Sequence, residues 1–63
     1  MKVTLSNNKV RANGKEVGYY TKMLNGNWIA VFDHNGLGCT RQATKLSYLR
    51  DILTIVINEY VTN

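Results

Sequence analysis

The stretch Lys15 to Gly36, KEVGYYTKMLNGNWIAVFDHNG, decides how this chain folds. Two strand-like runs, KEVGYYTKML and NWIAVFD, meet at Asn25-Gly26. Asn-Gly is the strongest short signal for a two-residue type I′ turn, because both central positions need positive φ. Read that way, the turn sets Met23 opposite Trp28, Thr21 opposite Ala30 and Tyr19 opposite Phe32. The second run is apolar at nearly every position, whereas a strand with one wet face should alternate. Something must meet its second face, or that face is itself a contact surface.

Working upstream, Asn13-Gly14 repeats the signal and joins NKVRA to the run that begins at Lys15. It sets Val10 opposite Val17 and Arg11 opposite Glu16. Earlier still, KVTL is either a fourth short strand or an extension of the first past Asn7-Asn8. Downstream, the apolar period changes at Thr40. In TRQATKLSYLRDILTIVINEYV, Leu46, Leu49, Leu53, Val56, Ile57 and Tyr60 fall on one helical face. Thr40 is the expected N-cap, and GLGC before it is a flexible connection. The expected fold is α+β: a three-stranded, possibly four-stranded, antiparallel meander packed on one long carboxy-terminal helix. It forms a single small domain over residues 1–63, with the sheet at about 2–33 and the helix at about 41–61.

Tight turns fix register, and register fixes faces. The face assigned to the helix carries Val10, Val17, Tyr19, Met23, Trp28, Ala30 and Phe32. The face left in water carries Lys9, Arg11, Glu16, Gly18, Tyr20, Lys22, Ile29 and Val31. Alternatively, Val3 and Leu5 fold back and cover Ile29 and Val31. On the helix, Tyr48, Ile52 and Ile55 form a ridge away from the centre of the core face. Either the core face is wide, or the ridge meets another chain, which admits a homodimer.

Composition narrows the function. Sixty-three residues hide only about 60% of the surface the unfolded chain exposes, so the core is thin. The one cysteine, Cys39, leaves no internal disulfide, and with a single histidine, His34, no closed zinc site can be built. Asp33, His34 and Cys39 sit in a turn with no room for a catalytic relay, and Asp51 and Glu59 are solvated charges two helical turns apart. No enzyme activity, metal or cofactor is expected. Gly36 and Gly38 match neither the dinucleotide nor the Walker pattern, but Arg41 and Lys45 beside a helix amino terminus suit a phosphate contact. No apolar core follows Lys2 as in a secretory signal, no stretch is long enough to span a bilayer, and a lone thiol suits a reducing compartment, so a cytoplasmic location is expected. The formal charge of +4 favours a polyanion or an acidic protein surface.

From Gly18 to Leu49 the sequence GYYTKMLNGNWIAVFDHNGLGCTRQATKLSYL resembles two related DNA-binding groups: the plant ethylene-response-type domain and the amino-terminal arm-binding domain of phage integrases. NGNWIAVFDHNG is similar to their second hairpin, and TRQATKLSYL to the start of their helix. The resemblance implies a sheet whose outer face enters the major groove. Carried onto this chain, that surface is Lys9, Arg11, Tyr20, Lys22 and Ile29, with phosphate contacts added from Arg41 or Lys45. The alternative is a protein-binding module, similar in character to small phage accessory proteins. It would be anchored by Tyr20, Ile29 and Val31, or by the Tyr48-Ile52-Ile55 ridge.

Overall fold

A computed structural model describes residues 1–34 and 37–62. The chain runs β1 (Val3–Ser6), β2 (Lys9–Ala12), β3 (Lys15–Lys22), β4 (Trp28–His34), β5 (Leu37–Ala43) and α1 (Leu46–Thr62). The strands form one antiparallel sheet in the order β1-β2-β3-β4-β5. The class is α+β, as expected, but the sheet has five strands rather than three or four. The Asn35-Gly36 turn and the side chains of His34 and Tyr60 lie outside the described residues.

Two turns follow from their asparagines. Asn13 (φ 53°) and Gly14 (φ 84°) make the left-handed pair that a type I′ hairpin needs, and Asn7 (φ 51°) and Asn8 (φ 63°) repeat it. Ser6 therefore pairs with Lys9, and KVTL becomes a strand of its own. Asn13 also fixes β1 from the far end. Its backbone N–H donates to the Lys2 carbonyl at 2.8 Å, and its side-chain oxygen accepts from the Lys2 N–H at 2.9 Å.

The turn at Asn25-Gly26 is different. Gly26 alone has positive φ, at 91°. Its N–H donates to the Met23 carbonyl at 3.0 Å, and the Met23 N–H donates to the Asn27 carbonyl at 2.7 Å. The Asn25 side chain accepts from the Asn27 N–H at 3.0 Å, an interaction open to Asn in a right-handed turn. This is a three-residue loop, Leu24-Asn25-Gly26, ending on a left-handed glycine. It shifts β3 against β4 by one residue: Lys22 pairs with Trp28, Tyr20 with Ala30 and Gly18 with Phe32. Substituting Gly26 by alanine meets no atom within 4 Å. The left-handed backbone alone should then cost about 1–2 kcal/mol, or roughly 4–16 °C in a thermal melt. An unchanged midpoint would rule out this loop geometry.

A second slip lies in the hairpin before it. Arg11 pairs with Glu16 as expected, but Val10 pairs with Gly18, so Val17 is the extra residue of a β-bulge. The slips at Val17 and at the loop are each of one residue. They invert β3 while leaving β2 and β4 on their expected faces. Tyr20 is therefore buried, 7% exposed, and Tyr19 lies outside at 55%. The water-facing assignment of Tyr20, Gly18 and Lys22 is corrected to the helix side. The core assignment of Tyr19 and Met23 is corrected too: Tyr19 faces outward, and Met23 sits half-buried in the loop. Packing rewards the inversion. Tyr20 meets the Trp28 ring with centroids 6.0 Å apart, and Gly18 lets β3 lie close against Phe32.

β5 overturns a further expectation. GLGC is not a connection and Thr40 is not an N-cap, because Leu37–Ala43 pairs along the whole of β4, from His34–Leu37 to Trp28–Ala43. β4 is apolar on both faces, and its far edge carries backbone donors and acceptors that need partners. β5 supplies them, and this outweighs the helix propensity of RQA. The helix starts at Leu46, with the Leu49 N–H donating to the Lys45 carbonyl at 3.0 Å.

The helix lies on the sheet with Leu49, Leu53 and Ile57 buried against Val3, Val10, Ala12, Tyr20, Ala30 and Phe32. Leu46 and Val56 pack at the margin of this core with Leu5, Trp28, Cys39 and Ala43. α1 touches β5, β4 and β1. Near its far end, the Asn58 side chain donates to the Met1 carbonyl at 3.1 Å and accepts from the Met1 amino group. Val3 and Leu5 thus point into the helix side. They do not cover Ile29 and Val31, which lie half-buried on the outer face.

Candidate binding surfaces

Three surfaces emerge from this register. The first is the outer sheet face. The pairings place Lys9, Arg11, Glu16, Tyr19, Thr21, Ile29, Val31, Thr40 and Gln42 on it. Of the residues expected on this face, Lys9, Arg11 and Ile29 lie on it, while Tyr20 and Lys22 do not; Arg41, expected beside the helix amino terminus, lies in β5 on the helix side. Tyr19 now supplies the exposed aromatic, beside Val31 across the strand pair. The charge is largely cancelled. Lys9 Nζ lies 3.9 Å from Glu16 Oε1, Arg11 faces Glu16 across the pair, and Asp33 sits at the far end of β4. An exposed ion pair of this kind contributes at most about 1 kcal/mol, but two carboxylates against two cations leave this face little attraction for a polyanion.

The second surface is a corner on the helix side. Lys22, Trp28 and Ala43 form one row across β3, β4 and β5, about 10 Å wide at normal strand spacing. Arg41 stands two residues before Ala43 and Lys45 two after. Lys22 Nζ lies 5.8 Å from the centre of the half-buried Trp28 ring. Lys45 Nζ lies 5.5 Å from the centre of the Tyr48 ring. The Arg41 guanidinium donates to the Thr40 carbonyl at 2.8 Å, which fixes its base and leaves its other donors available. Among the described residues the side-chain ion pairs are Lys9–Glu16 and Arg50–Asp51, so these three cations share no carboxylate. The first turn of α1 carries no acidic residue, and the positive end of the helix dipole adds to the same corner. Lys22 and Arg41 thus lie on the helix side of the sheet, opposite the face of Lys9 and Arg11, and Lys45 stands just before α1. Trp28 was missed as a member because its ring was assigned wholly to the core. The legible clue was Gly18: an isolated glycine inside a strand signals a bulge or a close backbone approach.

The third surface is the helix ridge. Tyr48 is 51% exposed and Ile55 62%. Ile52 is half-buried but lies outside the core cluster. The core face is therefore not wide enough to absorb them.

Other chemistry is sparse. A cleft of about 300 Å³ between β1 and α1 is lined by Thr4, Leu5, Leu46, Ser47 and Arg50. It offers hydroxyls and one guanidinium, without a base to activate a nucleophile. Cys39 sits half-buried against the core at the middle of β5, not in a turn. Among the described residues no three His, Cys, Asp or Glu side chains are grouped to hold a metal ion, and no helix is long and apolar enough to cross a membrane. No family model, curated protein or solved structure matches the chain.

Proposed function

We propose that this chain is a small nucleic-acid-binding protein whose contact surface is the corner of Lys22, Trp28, Arg41 and Lys45. The observation that carries the reading is the presence, on the helix side of the sheet and at the start of α1, of three cations, two of them beside aromatic rings, with no ion-pair partner among the described residues. Phosphates are bound by cations in proportion to the counterions released, and bases stack on aromatic faces. The net charge of +4 supports the same partner. The family resemblance points to the outer sheet face instead, but its charges cancel, and the physical argument favours the corner.

Fluorescence anisotropy with a labelled oligonucleotide tests the proposal across a salt series. Three phosphate contacts give a slope of log affinity on log salt of about −2 on single strands and about −3 on duplex. Lys22→Ala should reduce that slope by about one unit, whereas Arg11→Ala should leave it unchanged. Affinity that stays flat across the series would exclude the nucleic-acid reading. A slope lost with Arg11 but kept without Lys22 would move the site to the sheet face.

A second reading, an accessory module for a partner protein, is favoured by one observation. Exposed Tyr19 and half-buried Ile29 and Val31 form a nearly neutral apolar strip on the outer face, and such strips suit protein interfaces more than polyanions. Tyr19→Ala abolishing a stoichiometric complex with an isolated protein partner would support it.

A further inference from the structure

We infer that two copies of this chain pair through α1 in antiparallel orientation, with Ile52 of one copy against Ile55 of the other. Lys45, Tyr48, Ile52, Ile55 and Glu59 recur at spacings of three, four, three and four along the chain and helix. That is the 3.5-residue repeat of a helix–helix seam. The stripe is separate from the 3.6-period face that buries Leu49, Leu53 and Ile57. Its centre is apolar, and its ends are of opposite sign, Lys45 with Tyr48 at one and Glu59 at the other.

This asymmetry selects the occupant and the direction. In the antiparallel pair, the seam that joins Ile52 to Ile55 of the partner copy also brings Tyr48 to Glu59 of that copy. The Lys45 ammonium, held 5.5 Å from the centre of the same Tyr48 ring, then lies beside the incoming carboxylate. A parallel pair would set Lys45 against Lys45 and Glu59 against Glu59, which is repulsive at both ends. A two-fold axis repeats the favourable contact twice, as an isologous interface requires. The helix is about 26 Å long, enough for both contacts.

The seam is narrow. A standard interface removes about 800 Å² per partner, close to a fifth of this chain's 4272 Å². One helix stripe gives less, so the dimer belongs to the weak class, with a dissociation constant of order micromolar or tens of micromolar. The inference stands apart from the nucleic-acid reading, with Lys45 the shared residue and Tyr48 the ring beneath it. Oligomeric state is measured without nucleic acid, so either can fail alone.

Sedimentation equilibrium from about 5 to 500 μM should show a monomer–dimer equilibrium. Ile55→Asp, at a site already exposed, should give a folded monomer throughout, with circular dichroism confirming the helix. Glu59→Lys should weaken the dimer at least tenfold, and Lys45→Glu combined with Glu59→Lys should restore it. A native chain that stays monomeric at the highest concentration overturns the inference. So does a dimer that survives Ile55→Asp, or a double variant that fails to recover.

Discussion

Gly18→Ala is expected to lower the melting temperature by about 12–24 °C. A methyl group there would sit 2.2 Å from the Val31 carbonyl oxygen and 2.7 and 2.8 Å from the Cα and Cβ of Phe32. These are chiefly backbone atoms held by the β3–β4 pairing, in which Gly18 faces Phe32. They cannot swing aside as a flexible side chain would. Overpacking a tight core typically costs 1–3 kcal/mol, and backbone contacts this short place the change at about 3. Each kcal/mol shifts the midpoint of a domain this size by about 4–8 °C. At roughly 0.05–0.15 kcal/mol per residue, total stability is about 3–9 kcal/mol, so the variant is close to unfolding at room temperature if the true value is at the low end. A thermal melt followed by far-ultraviolet circular dichroism measures it. A midpoint within a few degrees of the native one would mean that β3 and β4 do not approach this closely.

The adjacent tyrosines give the second large effect, and it is a contrast. Tyr20→Ala should cost about 3 kcal/mol or more, the range for removing a buried aromatic ring. It takes away the ring that fills the space between Trp28 and the core. Tyr19→Ala should change stability by no more than about 0.5 kcal/mol, as for an ordinary surface substitution. Urea unfolding of the two variants reads the difference as a shift in midpoint at constant slope. The register predicted from a two-residue turn at Asn25-Gly26 gives the opposite order. Equal losses, or a greater loss from Tyr19, would restore that register and place Tyr20 in water. The corner proposed as the contact surface would then be dispersed, because Lys22 follows Tyr20 by two residues and shares its face.

Much of the fold was legible because it is encoded locally. Asn13-Gly14 forms the turn its type requires, and the spacing of Leu46, Leu49, Leu53, Val56 and Ile57 identifies the helix face that is buried. Val10, Trp28, Ala30 and Phe32 also face the core as expected. The strand inversion was less accessible. Asn-Gly serves both a two-residue type I′ loop and a three-residue loop ending on glycine, and the two differ by one residue of register. The Val17 bulge adds the second slip. Tyr19 and Tyr20 are identical side chains at adjacent positions, so composition could not say which one belongs inside. β5 was obscured for a related reason: Gly38, Cys39, Thr40 and Ala43 are short, and their alternation carries little hydrophobic contrast.

The candidate surfaces divide in the same way. The Tyr48-Ile52-Ile55 ridge was legible, because helical periodicity alone places it. The cationic corner was not, because Lys22 and Arg41 lie nineteen positions apart in the chain and come onto one face only through the register of β4.

By itself the sequence determined what depends on neighbours within a few residues: the Asn13-Gly14 turn, the two stripes of the helix, and the absence of a second cysteine or histidine. The tertiary structure decided which face each residue of β3 takes and that residues 37–43 pair as a strand. The reason is that a pleated strand reverses every side chain on a one-residue slip. Only the packing of Tyr20 against Trp28, the fit of Gly18 against Phe32 and the open backbone edge of β4 discriminate between the two settings.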